Sequence, residues 1–420
     1  MNFQTAIQVR DIDLFMSHYS TIYVFGAGSL ARRLISIIQK QTSNYLQHKE
    51  LYGGGGVEAV LVTSISANPE SISDISVKQI YDINESKRNT AGVILAIREQ
   101  NINEVLSLLK TAGYSNFLVI EDIIAITNNQ ESACRRPLME ITTNIGCSIQ
   151  CKFCPQKVLL TNYYGFNKQR KSRLAFDDFK TCIDKMPDNT LISFTGFSEP
   201  FLNDECVPMI QYANQQGFSL ILSTTLVGLT ETSFEQIKDI PFYTVILHAP
   251  DNKGYAKINE SENYYKVLNR CLNHTKANGL PFIDFANGQA EPTERFKKFT
   301  KDKLIVDYGH LNDRAGNIKD NADNICKSIS NIEGDIYCCS SYDLNHWVLL
   351  PDGTVTICCM DFSLSNALGN LLEQDYQTIM DSDKHRMLVN ALRCGGQSIC
   401  RSCVNARLKS ESIFMKGETI

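Results

Sequence analysis

Fifteen cysteines are spread so unevenly through this 420-residue chain that their placement limits its fold more than any other feature. Residues 1 to 133 hold none, three fall within eight positions at Cys147, Cys151 and Cys154, and seven lie between Cys338 and Cys403. Cysteines that fill a core scatter along a chain, as Cys182, Cys206 and Cys271 do, whereas metal sites draw thiols into tight groups. Disulfides are the competing use, and they belong to oxidising compartments. Met1 to Phe15 shows no basic stretch followed by an apolar run, and no apolar run elsewhere reaches about 18 residues. The expectation is a cytoplasmic chain without a membrane span, whose clustered thiols hold metal or carry redox chemistry.

With 43% hydrophobic and 21% charged residues the chain has the balance of a folded protein. Its length exceeds what one core usually serves. Three domains are expected, at 1–132, 133–325 and 326–420. The net charge of −5 lacks the basic excess that a nucleic-acid backbone attracts, so no nucleic-acid partner is expected.

The N-terminal third alternates strand and helix signals. Ile22 to Phe25 is an apolar run followed by Gly26-Ala27-Gly28-Ser29-Leu30-Ala31 and an amphipathic stretch to about Ile38, which reads as strand, tight turn and helix. Val57 to Val62, Val93 to Ile97 and Phe117 to Ile120 are further buried-strand candidates, with a helix over Asn103 to Ala112. These predict a Rossmann-like parallel sheet. Gly53 to Gly56 reads as a flexible turn, and Thr127 to Arg136 as the linker out of the sheet. The GxGxxA turn suits a pyrophosphate at a helix N-terminus, but Leu61-Val62-Thr63-Ser64 offers no acid for ribose hydroxyls, which argues against NAD.

From Leu138 the pattern restarts. Strands are expected at Leu138 to Thr142, Leu191 to Phe194, Ser219 to Ser223, Thr244 to His248, Phe282 to Phe285 and Leu304 to Val306, with helices between them such as Phe176 to Lys185. Six such βα units make a partial (β/α)6 TIM-type barrel. The last hundred residues predict a small α+β domain, with a hairpin at Val348 to Ile357 turning on Asp352-Gly353 and a helix around Tyr376 to Leu392.

Cys147, Cys151 and Cys154 follow the first barrel strand with CxxxCxxC spacing. Iron-sulfur cubanes are normally held by four thiolates, so three in one loop leave an iron open to another ligand. An open position is how a metal site becomes catalytic. A zinc knuckle is the alternative, but it needs a fourth His or Cys close by and the nearest residues supply none.

The spacing, the aromatic Phe153 before the third cysteine and the place after the first strand resemble the radical S-adenosylmethionine (SAM) superfamily. That resemblance implies a 4Fe-4S cluster whose open iron is chelated by SAM, and reductive cleavage of SAM to a 5′-deoxyadenosyl radical. It also implies an electron donor such as flavodoxin or ferredoxin. Phe194-Thr195-Gly196-Phe197-Ser198-Glu199-Pro200 looks like the family's Gly-Gly-Glu-Pro segment, with Phe197-Ser198 in place of the second glycine. By that resemblance Gly196 and Glu199 hold the SAM ammonium, Ser223 and Thr224 contact its carboxylate or ribose, and His248 stands where the family often has serine.

The tail resembles the family's SPASM and twitch extensions. Cys339, Gly353 and Cys358 fit their opening pattern, and Cys400-Arg401-Ser402-Cys403 supplies a pair. The resemblance implies a second, auxiliary 4Fe-4S cluster on Cys339, Cys358, Cys400 and Cys403. Cys394, Cys400 and Cys403 depart from the full SPASM spacing, which favours one auxiliary cluster. Cys338, Cys359 and Cys394 are then spare, Cys338 being able to replace Cys339, and zinc is the alternative occupant of the tail.

The N-terminal module resembles Rossmann-like modules of surface-polysaccharide biosynthesis proteins, implying either a nucleotide-sugar site or structural docking. The run Lys168-Gln169-Arg170-Lys171-Ser172-Arg173 reads as a diphosphate grip or a solvated loop. Arg314 follows the sixth strand, at the end of a barrel where substrates bind, and is a candidate catalytic residue. Cys359 is a candidate hydrogen donor. The expected activity is oxidation or epimerisation of a small-molecule sugar or sugar-like alcohol, a nucleotide sugar among them. Peptide modification and a non-catalytic metal-binding scaffold are the competing readings.

Overall fold

The computed structural model describes residues 4–6, 9–45, 56–66, 68–98, 101–128, 130–165, 170–277, 279–301, 303–304, 306–309, 311–318, 326, 329, 331–338 and 341–412. The chain divides into two compact units, Met1–Ser132 and Ala133–Ile420.

The first unit is a mostly parallel sheet. Its strands are β1 (Gln4–Ala6), β2 (Ile22–Phe25), β3 (Val57–Val62), β4 (Ser71–Ile72), β5 (Ile75–Gln79), β6 (Gly92–Leu95) and β7 (Asn116–Ile120), in the spatial order β1-β7-β6-β2-β3-β5-β4. Only β4 runs antiparallel to its neighbour. The apolar runs of β2 and β6 are buried along their whole length, as expected for strands covered on both faces. Gly26 turns the chain out of β2 at φ +111°, and a Cβ there would lie 3.1 Å from the Ala96 carbonyl oxygen. The helix Ser29–Tyr45 begins directly after it. The helix Ile123–Asn128 and a helical turn at Ala133–Arg135 take up much of the expected linker. Gly53, Gly54 and Gly55 of the expected flexible turn lie outside the described residues.

The second unit begins with the six expected parallel strands, β8 (Leu138–Ile141), β9 (Leu191–Phe194), β10 (Ser219–Thr224), β11 (Thr244–His248), β12 (Phe285–Gly288) and β13 (Val306–Tyr308). Each lies beside its predecessor in sequence. The fifth strand starts later than expected because Phe282 and Ile283 are drawn into the core, while the Asp284 carboxylate accepts from the Val245 amide at 2.8 Å. Helices cover the outer face. Phe176–Ile183 buries Phe179, Cys182 and Ile183, Cys206–Gln215 buries Cys206, Met209, Ile210 and Ala213, and Glu262–Asn273 buries Val267, Leu268 and Cys271 at helical spacing. The scattered cysteines are thus core residues.

The cysteine-rich end adds β14 (Ile336–Cys338), β15 (His346–Leu349), β16 (Thr354–Thr356), β17 (Ala367–Asn370) and β18 (Ala406–Leu408). β15 pairs parallel with β8, and β16 and β17 follow antiparallel, so one nine-stranded sheet runs from β13 to β17. The expected hairpin turns at Gly353, where φ is +84° and a Cβ would sit 2.4 Å from the Asn370 side-chain oxygen. The single helix expected over Tyr376 to Leu392 is two helices, Tyr376–Met380 and Asp383–Cys394. Ser382 accepts a hydrogen bond from the His385 amide and caps the second.

Arg401, between the last two cysteines, is buried and binds the carbonyls of Gly396, Ile332, Gly334, Ala391 and Leu392 at 2.7–3.0 Å. It ties the Asp383–Cys394 helix to the chain entering β14. Replacing it leaves several buried carbonyls unpaired, at roughly 1–3 kcal/mol each before relaxation. Arg401→Met is therefore expected to lower the thermal midpoint by at least about 4 °C, at ~2–4 °C per kcal/mol. Calorimetry of the reconstituted protein checks this.

Candidate active site and auxiliary metal centre

The loop after β8 carries Cys147, Cys151 and Cys154 before the helix Gln156–Gly165. Its shape needs positive φ at Gly146 (+90°) and at Gln150 (+45°), a backbone region rarely adopted by residues other than glycine. The loop is braced from beyond β11. The Lys152 amide donates to the Tyr255 carbonyl at 2.7 Å and the Lys257 amide to the Ile149 carbonyl at 2.8 Å. Phe153, expected to contact the cofactor, is buried with its ring edge-on to Tyr255 at 5.3 Å, so in this structure its visible role is to pack the loop. The brace depends on Asp251, which is buried and accepts from the amides of Lys253, Tyr255 and Ala256, each at 3.0 Å.

All three thiols are half-buried, and Cys147 and Cys154 act electrostatically on Cys151. Burial pushes Cys151 up to about 12, with the charges of Cys154 and Cys147 adding to it and Gln289 and Arg314 opposing it. Cys147 and Cys154 are raised first by burial as well. Backbone amides of Glu199 and Ile149 point at Cys147, and the Gln156 amide lies 3.5 Å from the Cys154 sulfur.

Next to this loop, Gly196 sits at φ +53°, and a Cβ on it would fall 2.3 Å from the Thr142 hydroxyl oxygen. The Phe197 amide donates to that oxygen at 3.1 Å. The sequence reading gave the Glu199 carboxylate to a ligand ammonium, and the structure shows it already engaged. It accepts from the Thr224 hydroxyl (2.6 Å), the Thr225 amide (2.6 Å), the Thr225 hydroxyl (2.7 Å) and the Phe201 amide (3.4 Å). A carboxylate has about four acceptor positions. Glu199 therefore joins the ends of β9 and β10 rather than presenting a free oxygen. Thr224 is taken up in the same network and also accepts from the Leu226 amide at 2.8 Å, whereas Ser223 is half-buried on the other face of β10.

His248 ends β11, paired in register with Asn287 of β12. Burial pushes it down to about 4, against a hydrogen bond with Asn287, so the ring is neutral at ordinary pH. Arg314 has left-handed backbone at φ +53°, held by the Asn312 side chain at 3.0 Å, and Asn317 bridges its carbonyl to that of Met360. Its guanidinium lies 4.0 Å from the Met360 sulfur and acts electrostatically on Cys151, Cys154, His248 and Cys359. Cys359 is raised well above the usual thiol range by burial and then by the charge of Glu140.

The described cations of the run after the loop are engaged within the chain. Arg170 pairs with Asp352 at 3.1 Å and covers the Tyr163 ring, Lys171 pairs with Asp178 and Arg173 with Asp204. That counts against a diphosphate grip. Lys168 and Gln169 lie outside the described residues.

At the far end, Cys338, Cys358, Cys400 and Cys403 line one enclosed cavity with His346 and Met360. Their thiols act on one another, and burial pushes Cys400 up to about 11 and Cys403 to about 12. Cys339, the expected fourth thiol, lies outside the described residues, and Cys338 takes that place in the cavity wall. Two adjacent cysteines carry no signal to choose between them. Cys338 ends β14, in register with Ala406 of β18. Sequence reasoning also missed Asp251, Gln289, Glu140 and His346. Of these Glu140 left a trace, as a charge inside the apolar strand Leu138-Met139-Glu140-Ile141.

Residues 338–404 match the SPASM family, an iron-sulfur cluster-binding domain. The chain thus carries a C-terminal SPASM domain, and the three-thiol loop after the first strand of the barrel is a second cysteine centre apart from it. A curated relative, the dual-specificity RNA methyltransferase RlmN of Buchnera aphidicola subsp. Schizaphis graminum (strain Sg), is 30% identical over 164 residues, which are 34% of this chain and 43% of the relative. The chain thus matches less than half the length of that relative. Among solved structures, BtrN in complex with AdoMet and 2-DOIA is 18% identical, with 65% of this chain and 93% of BtrN covered at a TM-score of 0.41. Streptococcus suis SuiB bound to precursor peptide SuiA is 13% identical, with 89% and 86% covered at a TM-score of 0.40.

The SPASM match implies an iron-sulfur cluster on the tail thiols, and the loop of Cys147, Cys151 and Cys154 would suit a 4Fe-4S cluster with SAM at its open iron. The residues present fit both clusters. Burial and neighbouring thiols resist ionisation in each group, and the buried side-chain oxygens of Gln156 and Gln289 beside the first lack partners. Metal cations favour the thiolate form and offset that resistance as the thiols give up their protons. Because Asp251 fixes the brace under the SAM-cluster loop, Asp251→Ala is expected to lower iron from about eight to about four per chain, one cubane being four irons. Iron and sulfide counting after anaerobic reconstitution checks it, with Cys147→Ala as the reference for loss of that cluster alone.

Proposed function

We propose that this chain is a radical SAM epimerase of a sugar or sugar-like alcohol, a nucleotide sugar being the favoured form, with flavodoxin or ferredoxin as electron donor. Cys147, Cys151 and Cys154 would hold the SAM cluster, and Cys338, Cys358, Cys400 and Cys403 the auxiliary one. When bound, SAM and its cluster supply hydrogen-atom abstraction by a 5′-deoxyadenosyl radical. Glu199 and Thr224 would hold the turn at Gly196 in place beside the SAM site. Ser223 and neutral His248 stand at neighbouring strand ends, where the SAM carboxylate and ribose would lie.

One observation carries the reading: Arg314 acts at once on Cys151 and Cys154 of the SAM-cluster loop and on the buried Cys359 thiol. A fixed cation between a radical source and a thiol suits a small substrate rich in oxygen. Arg314 would bind a substrate hydroxyl or its oxyanion and orient one carbon between the two. Cys359 would then return a hydrogen atom to the opposite face of that carbon. Oxidation, the other outcome of the same abstraction, needs no hydrogen donor, and a buried thiol beside Arg314 favours epimerisation.

The test is anaerobic turnover in D2O with SAM, dithionite, and UDP-glucose or UDP-N-acetylglucosamine. An epimer carrying solvent deuterium at the inverted carbon, with 5′-deoxyadenosine formed, is expected. An oxidised product, or no sugar turnover with 5′-deoxyadenosine still formed, overturns the epimerase reading. Arg314→Ala should lower sugar turnover at least about 100-fold, the scale of lost substrate positioning, while SAM cleavage persists. Equal turnover in that variant removes Arg314 from the reaction.

A further inference from the structure

Behind Cys359 the barrel wall carries a carboxylate and an imidazole that no step so far uses. Glu140 of β8 and His346 of β15 sit on adjacent parallel strands. Their flanking residues Met139, Ile141, Trp347 and Leu349 pack into the outer core, so alternation turns Glu140 and His346 to the inner face. The Nε2 of His346 lies 2.7 Å from Oε1 of Glu140, and the two side chains are only 12% and 8% exposed. A ring nitrogen of His346, a carboxylate oxygen of Glu140 and the Cys359 sulfur all lie within 4.8 Å of one another. The second oxygen of Glu140 and Nδ1 of His346 are buried without hydrogen-bond partners. Charged groups are rarely buried without use, and here a thiol is the group they face. His346 also lines the cavity of the four SPASM thiols, which includes Cys358, the neighbour of Cys359.

We propose that Glu140, backed by His346, is the acid that restores the Cys359 thiol in each catalytic cycle. The inference rests on the epimerase reading above. Hydrogen abstraction leaves a carbon radical on the substrate and forms 5′-deoxyadenosine. Transfer of a hydrogen atom from Cys359 breaks its S–H bond, forms a C–H bond on the opposite face and leaves a thiyl radical. One electron from a low-potential one-electron reductant and one proton from Glu140 turn the thiyl back into a thiol. His346 hands Glu140 its next proton through the 2.7 Å contact. In sum, substrate, SAM, two electrons and one proton give the epimer, methionine and 5′-deoxyadenosine. Proton return is thus needed for the second turnover and not for the first.

Glu140→Gln, of nearly equal size but without an acidic proton, separates those two. With UDP-glucose or UDP-N-acetylglucosamine, whichever the wild type epimerises, the expected result is a burst of about one epimer per chain. Steady turnover should then fall at least about 100-fold, the lower end of the usual contribution of a general acid. Cys359 left as the thiolate should appear as an iodoacetamide adduct on the peptide containing Cys359, found by mass spectrometry after turnover and scarce in the wild type. Glu140→Asp should recover multiple turnovers, which a purely structural role for Glu140 does not predict when iron content and thermal midpoint match the wild type in both variants. Wild-type steady turnover in Glu140→Gln overturns the proposal. So does a zinc ion bound to the wild type in addition to iron and lost in Glu140→Gln, because the three groups are then metal ligands. Epimer formation that survives Cys359→Ala overturns the proposal too, because another donor then serves, whereas absence of epimer in the wild type defeats the epimerase reading itself.

Discussion

The carboxylate of Glu199 is enclosed by protein and accepts hydrogen bonds from two threonine hydroxyls and two amides. Enclosure pushes its proton affinity up, and those four donors pull it back. A buried carboxylate costs several kcal/mol in lost hydration, which only a full set of donors offsets. The ends of β9 and β10 are therefore locked to each other at the open mouth of the barrel. Gly196 follows from the same lock, since the turn before Glu199 lies against Thr142 with no room for a side chain. The Glu199 amide in turn points at Cys147, so the strand ends and the thiol loop form one fixed surface.

Charge organises the rest of the second unit. Burial and neighbouring thiols keep both cysteine groups protonated until metal displaces their protons, and the charge of Arg314 reaches Cys151 of the first group and Cys359 beside the second. Its left-handed backbone, at φ +53°, is held by Asn312, and Asn317 links it to the segment of Met360 next to Cys358 and Cys359. The residue proposed to bind substrate is thereby attached to the SPASM segment rather than left on a free loop. Arg401 does the complementary structural work outside the site, gathering backbone carbonyls that have no other donor.

Much of this was readable from the chain. Apolar runs bounded by turn residues located the six barrel strands, because fully buried parallel strands cannot carry polar residues without partners. Cysteine clustering located both metal centres, because ligands to one cluster must be near in space and a single loop is the shortest way to arrange that. Glycine at 196 and 353 marked turns that other residues fit poorly. The break after Met380 was legible too, in the Ser382-Asp383 cap, yet the apolar spacing on both sides concealed it.

What the sequence by itself determined is the chemistry available: three thiols in a loop, a cysteine-rich tail, and the strand-helix alternation that holds them. Only the tertiary structure decided which groups meet. It engaged Glu199 with Thr224 and Thr225, put Cys338 with Cys358, Cys400 and Cys403, brought Arg314 against Met360, and set Glu140 against His346 across 206 positions of chain. The physical reason is that local patterns record which face of a strand is buried, whereas register and strand order fix what is buried beside it. β15 joins the barrel next to β8, and no local signal in either strand names the other as its partner.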